Sequence, residues 1–220
     1  MTYLVPHSPE KQICISNSGS LSGMTFLCKD MCDIKGFKSS CGNPDFYKHS
    51  IEALDYAPFL KKILNEGAIL KGITICDEFF YSIIGENKHY GTPENLNSPN
   101  CVPGGSSSGS AAALTNHDFD FTIGTDTGGS VRVPASFCGV FGFRPTHGRI
   151  DLNKVYPMAK SFDTLGWFSN NKPNMLKLGK IFFCSILISL KLSKNIFPNF
   201  SMFDLSLENQ PKVSKLSAIG

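Results

Sequence analysis

Two glycine-serine loops constrain this chain more than any other feature. The first is Gly104-Gly-Ser-Ser-Ser-Gly-Ser-Ala-Ala-Ala113 and the second is Gly124-Thr-Asp-Thr-Gly-Gly-Ser-Val-Arg-Val-Pro-Ala135. Ser106 and Ser130 stand 24 positions apart. Glycine beside serine lets backbone N–H groups turn inward at φ values that other residues resist. A backbone shaped in that way holds phosphate, or the oxyanion of an acyl-transfer intermediate. Flexible linkers are low in complexity. Here each loop runs into an ordered segment: a helix start at Ala111–Leu114, and Val131–Val133 ahead of a turn at Pro134. A phosphate loop of the Gly-x-x-x-x-Gly-Lys type is excluded, because no lysine follows either glycine pair. Gly105–Gly109 also has the Gly-x-Ser-x-Gly form of a nucleophile elbow, with Ser107 as nucleophile. That elbow needs a strand before it, and an acid and then a histidine after it. Pro93–Pro103 reads as loop, and His117 and His147 come too early for that order.

The chain has 220 residues, enough for a sizeable core, and 41% of them are apolar. That is a globular composition and not a disordered one. A net charge of +3 with no basic run argues for neither a nucleic-acid nor a membrane partner. The cysteines are scattered and form no framework of paired spacings. Met1–His7 lacks a charged region followed by an apolar run, so no secretory signal is read. Reduced thiols follow, and the cytoplasm is the expected compartment, with the nucleus also open. Cys28 and Cys32 flank Lys29 without zinc-ribbon spacing or a histidine pair, so no metal is expected.

Along the chain, residues 1–20 read as a loose lead-in. Met24–Cys28 is an apolar run that predicts a buried strand, with Lys29 and Asp30 at its end. Leu54, Ala57, Leu60, Ile63 and Leu64 recur at helical spacing, which predicts a helix over Ile51–Glu66 stopped by Gly67. A strand follows over Ile69–Ile75. A strand after a helix suggests a crossover in an α/β sheet. Asp77–Tyr81 begins a short helical piece, and Gly85–Pro103 is loop. Ser110–Thr115 starts a helix, and Phe119–Gly124 is a strand that delivers the second loop. Ser136–Phe143 is expected to be buried, and Arg144–Gly148 to turn. Ile181–Leu190 is apolar but too short to span a membrane, and reads as a buried strand or helix.

The two loops and their serine spacing, continued by Phe137-Cys-Gly-Val-Phe-Gly-Phe-Arg-Pro-Thr-His-Gly148, resemble the amidase signature family. The family also has a lysine in an early Lys-Asp pair, and Lys29-Asp30 supplies one. Within the family, four phrases are similar to plant indole-3-acetamide hydrolases of auxin biosynthesis. They are Gly42-Asn-Pro-Asp-Phe46, Asp77-Glu78, Gly85-Glu-Asn-Lys-His-Tyr-Gly-Thr-Pro93 and Ser161-Phe-Asp-Thr-Leu-Gly-Trp-Phe168. The resemblance runs from Leu21 to Phe168.

It implies an α/β amidase signature fold, a mixed β-sheet flanked by α-helices and incomplete here. The core would cover 21–179, and a divergent tail 180–220. It also implies a serine–serine–lysine set. Ser130 attacks the amide carbonyl and becomes the acyl-ester, Ser106 passes the proton, and Lys29 is the base. A serine hydroxyl is weak until a base takes its proton, and a lysine is a base only while neutral. Burial depresses a lysine pKa, and the apolar flank Met24–Cys28 suits such a site. The family's cis peptide bond falls at Gly105–Ser106. Thr127, Gly128, Gly129 and Ser130 would supply oxyanion N–H groups, while Ser107, Asp126 and Arg132 support the loop. The implied partner is a small primary amide such as indole-3-acetamide, with no cofactor and no metal. The alternatives are an inactive truncated relative, a binding or receptor module, or an ammonia-transferring amidotransferase subunit. Lys180–Gly220 is rich in Phe, Ile, Lys and Asn and unlike the family. The expectation is a truncated product that is insoluble or nearly inactive as written. Oligomeric state is not legible.

Overall fold

The computed structural model describes residues 3–193, with side chains described through residue 183. Five strands form one mixed sheet: β1 (Thr25–Lys29), β2 (Ile69–Thr74), β3 (Phe121–Asp126), β4 (Phe141–Phe143) and β5 (Thr164–Ser169). Their spatial order is β2-β1-β3-β5-β4. β1 runs parallel to β2 and to β3, while β5 runs antiparallel to β3 and β4. The helices are α1 (Pro44–His49), α2 (Pro58–Asn65), α3 (Ser108–Leu114), α4 (Arg132–Cys138) and α5 (Lys172–Ser193). Met1–Phe182 is one compact unit. Phe183–Gly220 is a second, of which the described part is the end of α5. Among the described residues, no helix is long and apolar enough to cross a membrane.

Parallel neighbours cannot be joined by a hairpin and need a crossover. α2 lies in the crossover from β1 to β2, and α3 in the longer one from β2 to β3. α2 earns its place by burying Phe59, Leu60, Ile63 and Leu64 along one face. It is shorter than the helix expected over Ile51–Glu66. A residue before proline is driven out of the α region. Ala57 accordingly sits at φ −57°, ψ 140°, and Pro58 opens the helix. Ile51 and Leu54 therefore lie on an extended approach, 85% and 91% exposed. Gly67, at φ +87°, follows the helix end.

Pro134 also departs from expectation. It stands inside the first turn of α4 and not at a separate turn. The first N–H groups of a helix have no intrahelical partner, so a proline there removes nothing. β5 has no counterpart in the sequence reading. All six of its residues are buried, so it carries no polar–apolar alternation to betray a strand.

Residues 3–20, expected as a loose lead-in, lie along β2. Isolated bridges join Leu4 to Thr74 and Ile13 to Leu70. Val5 is buried, and the Ser8 hydroxyl accepts the Ile73 N–H at 2.9 Å. This segment covers what would be an open sheet edge. At the far end of β2, α3 approaches so closely that a Cβ on Gly109 would lie 2.6 Å from the Tyr3 carbonyl and 2.8 Å from Ile75 N. The core holds Phe26 stacked on Phe121 at 4.9 Å and Trp167 on Phe182 at 5.6 Å. The apolar Ile181–Leu190 run falls in α5. Of the divergent tail expected over 180–220, residues 194–220 lie outside the described residues.

Candidate active site

β1 and β3 are parallel neighbours, so their carboxyl ends deliver Lys29 and Thr125 to the same edge of the sheet. Lys29 is fully buried there. Its Nζ donates to Ser106 Oγ at 2.8 Å and to Thr125 Oγ1 at 3.0 Å. The Phe80 ring lies beneath the ammonium, with its centroid 4.7 Å away. Burial pushes the Lys29 pKa down to about 8, against the opposing pull of the Asp77 and Asp126 carboxylates. A lysine with that pKa is neutral in about one molecule in ten at pH 7 and in half at pH 8.

The Gly105–Ser106 peptide bond is cis. A Cβ on Gly105 would lie 2.3 Å from Asp77 Oδ2, so only glycine fits beside that carboxylate. The Gly105 N–H donates to the Ile83 carbonyl at 2.8 Å, and the Asp77 N–H to the Ser106 carbonyl at 3.2 Å. Ser106, Ser107 and Ser108 are fully buried. Ser107 ties the two serine loops together. Its N–H donates to the Ser130 carbonyl at 3.2 Å, and its hydroxyl to the Thr125 carbonyl at 3.2 Å.

Ser130, buried at 4% exposure, ends the turn between β3 and α4. Among the described residues, none of the backbone N–H groups of Thr127, Gly128, Gly129 and Ser130 donates to another protein group. Four donors left open beside a buried serine are suited to a developing oxyanion. Asp126 braces this turn. Its carboxylate accepts the Val131 and Arg132 N–H groups at 3.1 and 3.2 Å, Arg132 Nε at 3.0 Å and Nη2 at 2.9 Å, and Arg144 Nη1 at 3.0 Å. Arg144 also donates to the Asp126 carbonyl. Burial pushes the Asp126 carboxyl up, but Arg132 and the two N–H groups outweigh it and hold the group below the usual carboxylate range.

The structure thus brings Lys29, Ser106 and Ser107 together and joins them to Ser130, with Asp126 and Arg132 at the adjoining turn. Asp30 goes elsewhere. It accepts Ser39 Oγ at 2.6 Å and the Ser40 N–H at 3.0 Å, bracing the loop before Gly42. His89 pairs with Glu78 at 3.1 Å, and His147 meets the Lys160 carbonyl at 3.0 Å.

Sequence reasoning missed four contributors: Thr125, Phe80, Asp77 and Asp163. Asp163 accepts Thr127 Oγ1 at 2.5 Å and the Met158 and Ala159 N–H groups at 3.0 Å, which fastens the turn to a later loop. Thr125 stood within the second loop motif, and Asp77 and Asp163 within the quoted phrases, yet no spacing rule marks them. A cavity of about 490 Å³ opens beside Thr125 and Thr127, with Phe80, Tyr156, Pro157 and Met158 in its wall.

The sequence profile of the family described as Amidase matches residues 9–178. The chain is 52% identical over 164 residues to Amidase 1 of Arabidopsis thaliana, covering 74% of this chain and 39% of that protein. It is 44% identical over 161 residues to the Translocon at the outer membrane of chloroplasts 64 of Pisum sativum, covering 73% and 27%. A crystal structure of an amidase superposes with a TM-score of 0.68 at 34% identity, over 74% of this chain and 37% of that one. The chain therefore spans 39% of the length of its Arabidopsis relative. With the profile, the relatives and the shared fold in agreement, the chain belongs to the amidase family.

Proposed function

We propose that this protein hydrolyses a small primary amide through an acyl-enzyme. Ser130 Oγ attacks the carbonyl carbon. Its proton passes to Ser106 as the Ser106 proton passes to Lys29. The N–H groups of Thr127, Gly128, Gly129 and Ser130 hold the oxyanion. The C–N bond then breaks, the proton returns through Ser106 to the leaving nitrogen, and ammonia departs. Water attacks the ester by the same relay and releases the carboxylic acid. The observation that carries this reading is the buried Lys29 donating to Ser106 with a pKa lowered to about 8. Such a lysine takes up a proton near neutral pH, which an exposed one does not.

The aromatic and apolar wall of the neighbouring cavity supports an aryl-acetamide, with indole-3-acetamide as the proposed representative. The proposed compartment is the cytoplasm. A fluorophosphonate, which reacts with activated serines, should label Ser130 and leave Ser130→Ala unlabelled. Labelling should rise as pH passes 8. Soluble, folded protein that takes no label at any pH would overturn the proposal.

A second reading, a binding module at an organelle envelope, draws on the 44% identity to the chloroplast translocon protein. It expects no label at Ser130 and recovery of the tagged chain with envelope membranes.

A further inference from the structure

Asp77 is a buried carboxylate that the relay does not use. It is fully buried, and its Oδ2 accepts the Gly85 N–H at 3.0 Å. Oδ1 is buried without a hydrogen-bond partner. The Ser82 hydroxyl exerts a downward pull on the group without closing a bond of ordinary geometry to Oδ1. Unpartnered buried carboxylate oxygens are uncommon and call for a reason. The residue grips the dipeptide that carries the relay. Its N–H holds the Ser106 carbonyl, and its carboxylate rests where a Gly105 Cβ would be. Lys29 donates to the Ser106 Oγ of the same dipeptide.

When Lys29 takes a proton, a full positive charge stands in a site closed to water. A buried charge without a counter-charge is strongly disfavoured. Two carboxylates face it. Asp126 comes from β3 and is already engaged by Arg132 and Arg144. Asp77 comes from the segment after β2 and has no cationic partner within ion-pair distance among the described residues. The other titratable groups facing Lys29 are Cys41 and Cys76. Burial pushes the Cys41 thiol up to about 12 and Cys76 well above its ordinary value, so both remain neutral. Thr125, Ser106 and the Phe80 ring complete the surroundings.

We propose that Asp77 is a positioning residue with two tasks: it fixes Ser106 against Lys29, and its unpartnered oxygen is the counter-charge for the lysine after proton transfer. This rests on the reading of Lys29 as base. Burial raises the Asp77 carboxyl and Lys29 pulls it back, as coupling between the two requires.

The test is the pH dependence of fluorophosphonate labelling at Ser130 in the unaltered chain and in Asp77→Asn, which keeps the shape and removes the charge. Without its counter-charge the ammonium is less favoured. The labelling midpoint should move to lower pH from about 8, by about one unit, and the plateau should fall several-fold because the base is weaker. A merely structural role lowers the plateau and leaves the midpoint in place, and that result would overturn the proposal. The base reading fails differently: the unaltered chain takes no label, or Lys29→Arg labels as fast as the parent, and the inference then falls with it. If Asp77→Asn does not melt cooperatively, lysine ¹³Cε titration of the unaltered protein reads the same coupling. The Lys29 signal, identified by its loss in Lys29→Met, should show a main inflection near 8 and a smaller one above the usual aspartate range. A single inflection overturns the counter-charge role.

Discussion

Two corners of the sheet bring a buried aspartate toward the same lysine, and they are built in opposite ways. At the corner after β3, Asp126 accepts from two arginines and two backbone N–H groups. At the corner after β2, Asp77 accepts one N–H and leaves an oxygen open. The first carboxylate is committed to architecture. Two arginines share its charge, and it fixes the Thr127–Ser130 turn while still drawing the Lys29 pKa upward. The second keeps its charge unspoken for. A site that must receive a proton needs both kinds: one acid to hold the backbone still, and one to receive the ammonium electrostatically.

The largest effect expected from disturbing this arrangement comes at Lys29 itself. Lys29→Arg makes the charge between the two corners permanent, since arginine does not lose its proton. Fluorophosphonate labelling of Ser130 should fall by about three to four orders of magnitude. Near-parental labelling would mean that position 29 supplies charge and not basicity.

Next come the corners. Asp126→Ala leaves Arg132 and the Val131 and Arg132 N–H groups without their acceptor, while Arg144 keeps only its backbone carbonyls, and should cost about 2–4 kcal/mol of stability in urea unfolding. Asp77→Asn loses one charge-assisted bond and should cost about 1–2 kcal/mol. Equal losses would erase the distinction between an architectural and an electrostatic aspartate.

The third effect is on the pH dependence of stability. The folded-state pKa of Lys29 lies at about 8, below its ordinary 10.5. Between those values the unfolded chain holds more protons than the folded one, so stability rises with pH. Relative to Lys29→Met, the unaltered chain should gain about 3 kcal/mol across that window, and nothing below it. A flat difference would show that Lys29 is not desolvated.

The residues proposed to carry the chemistry were legible because their signal is local. Gly104, Gly105 and Gly129 mark backbone that favours glycine, and the family resemblance added Lys29. The shape of the supporting residues was not local. Thr125 meets Lys29 only because β1 and β3 pair with Phe26 beside Phe121. Asp77 matters because its carboxylate occupies the space over Gly105, 28 positions later in the chain. Neither relation has a sequence period. Phe80 reaches the lysine with its backbone at φ +65°, a conformation that no propensity favours for phenylalanine. The longer expected helix was cut short by one proline, and β5 was hidden because Thr164-Leu-Gly-Trp-Phe-Ser169 forms neither an alternation nor an unbroken apolar run. Periodicity reports half-buried elements and is silent about fully buried ones.

The bonds that hold Lys29 in the proposed relay span long stretches of chain: 77 residues from Lys29 to Ser106 and 96 from Lys29 to Thr125. On a ribosome adding about 5–20 residues per second, Lys29 is made roughly 5–20 s before Thr125 exists. Throughout that interval it is an ordinary solvated ammonium at the end of an apolar strand. Only when β3 settles beside β1 is it drawn out of water, and its hold on the proton weakens at that moment. Completing the site is therefore a proton-releasing event. A pH indicator in weakly buffered refolding near pH 8 should register about half a proton per chain from this lysine, in step with the closing of the sheet and not with the earlier collapse of the helices.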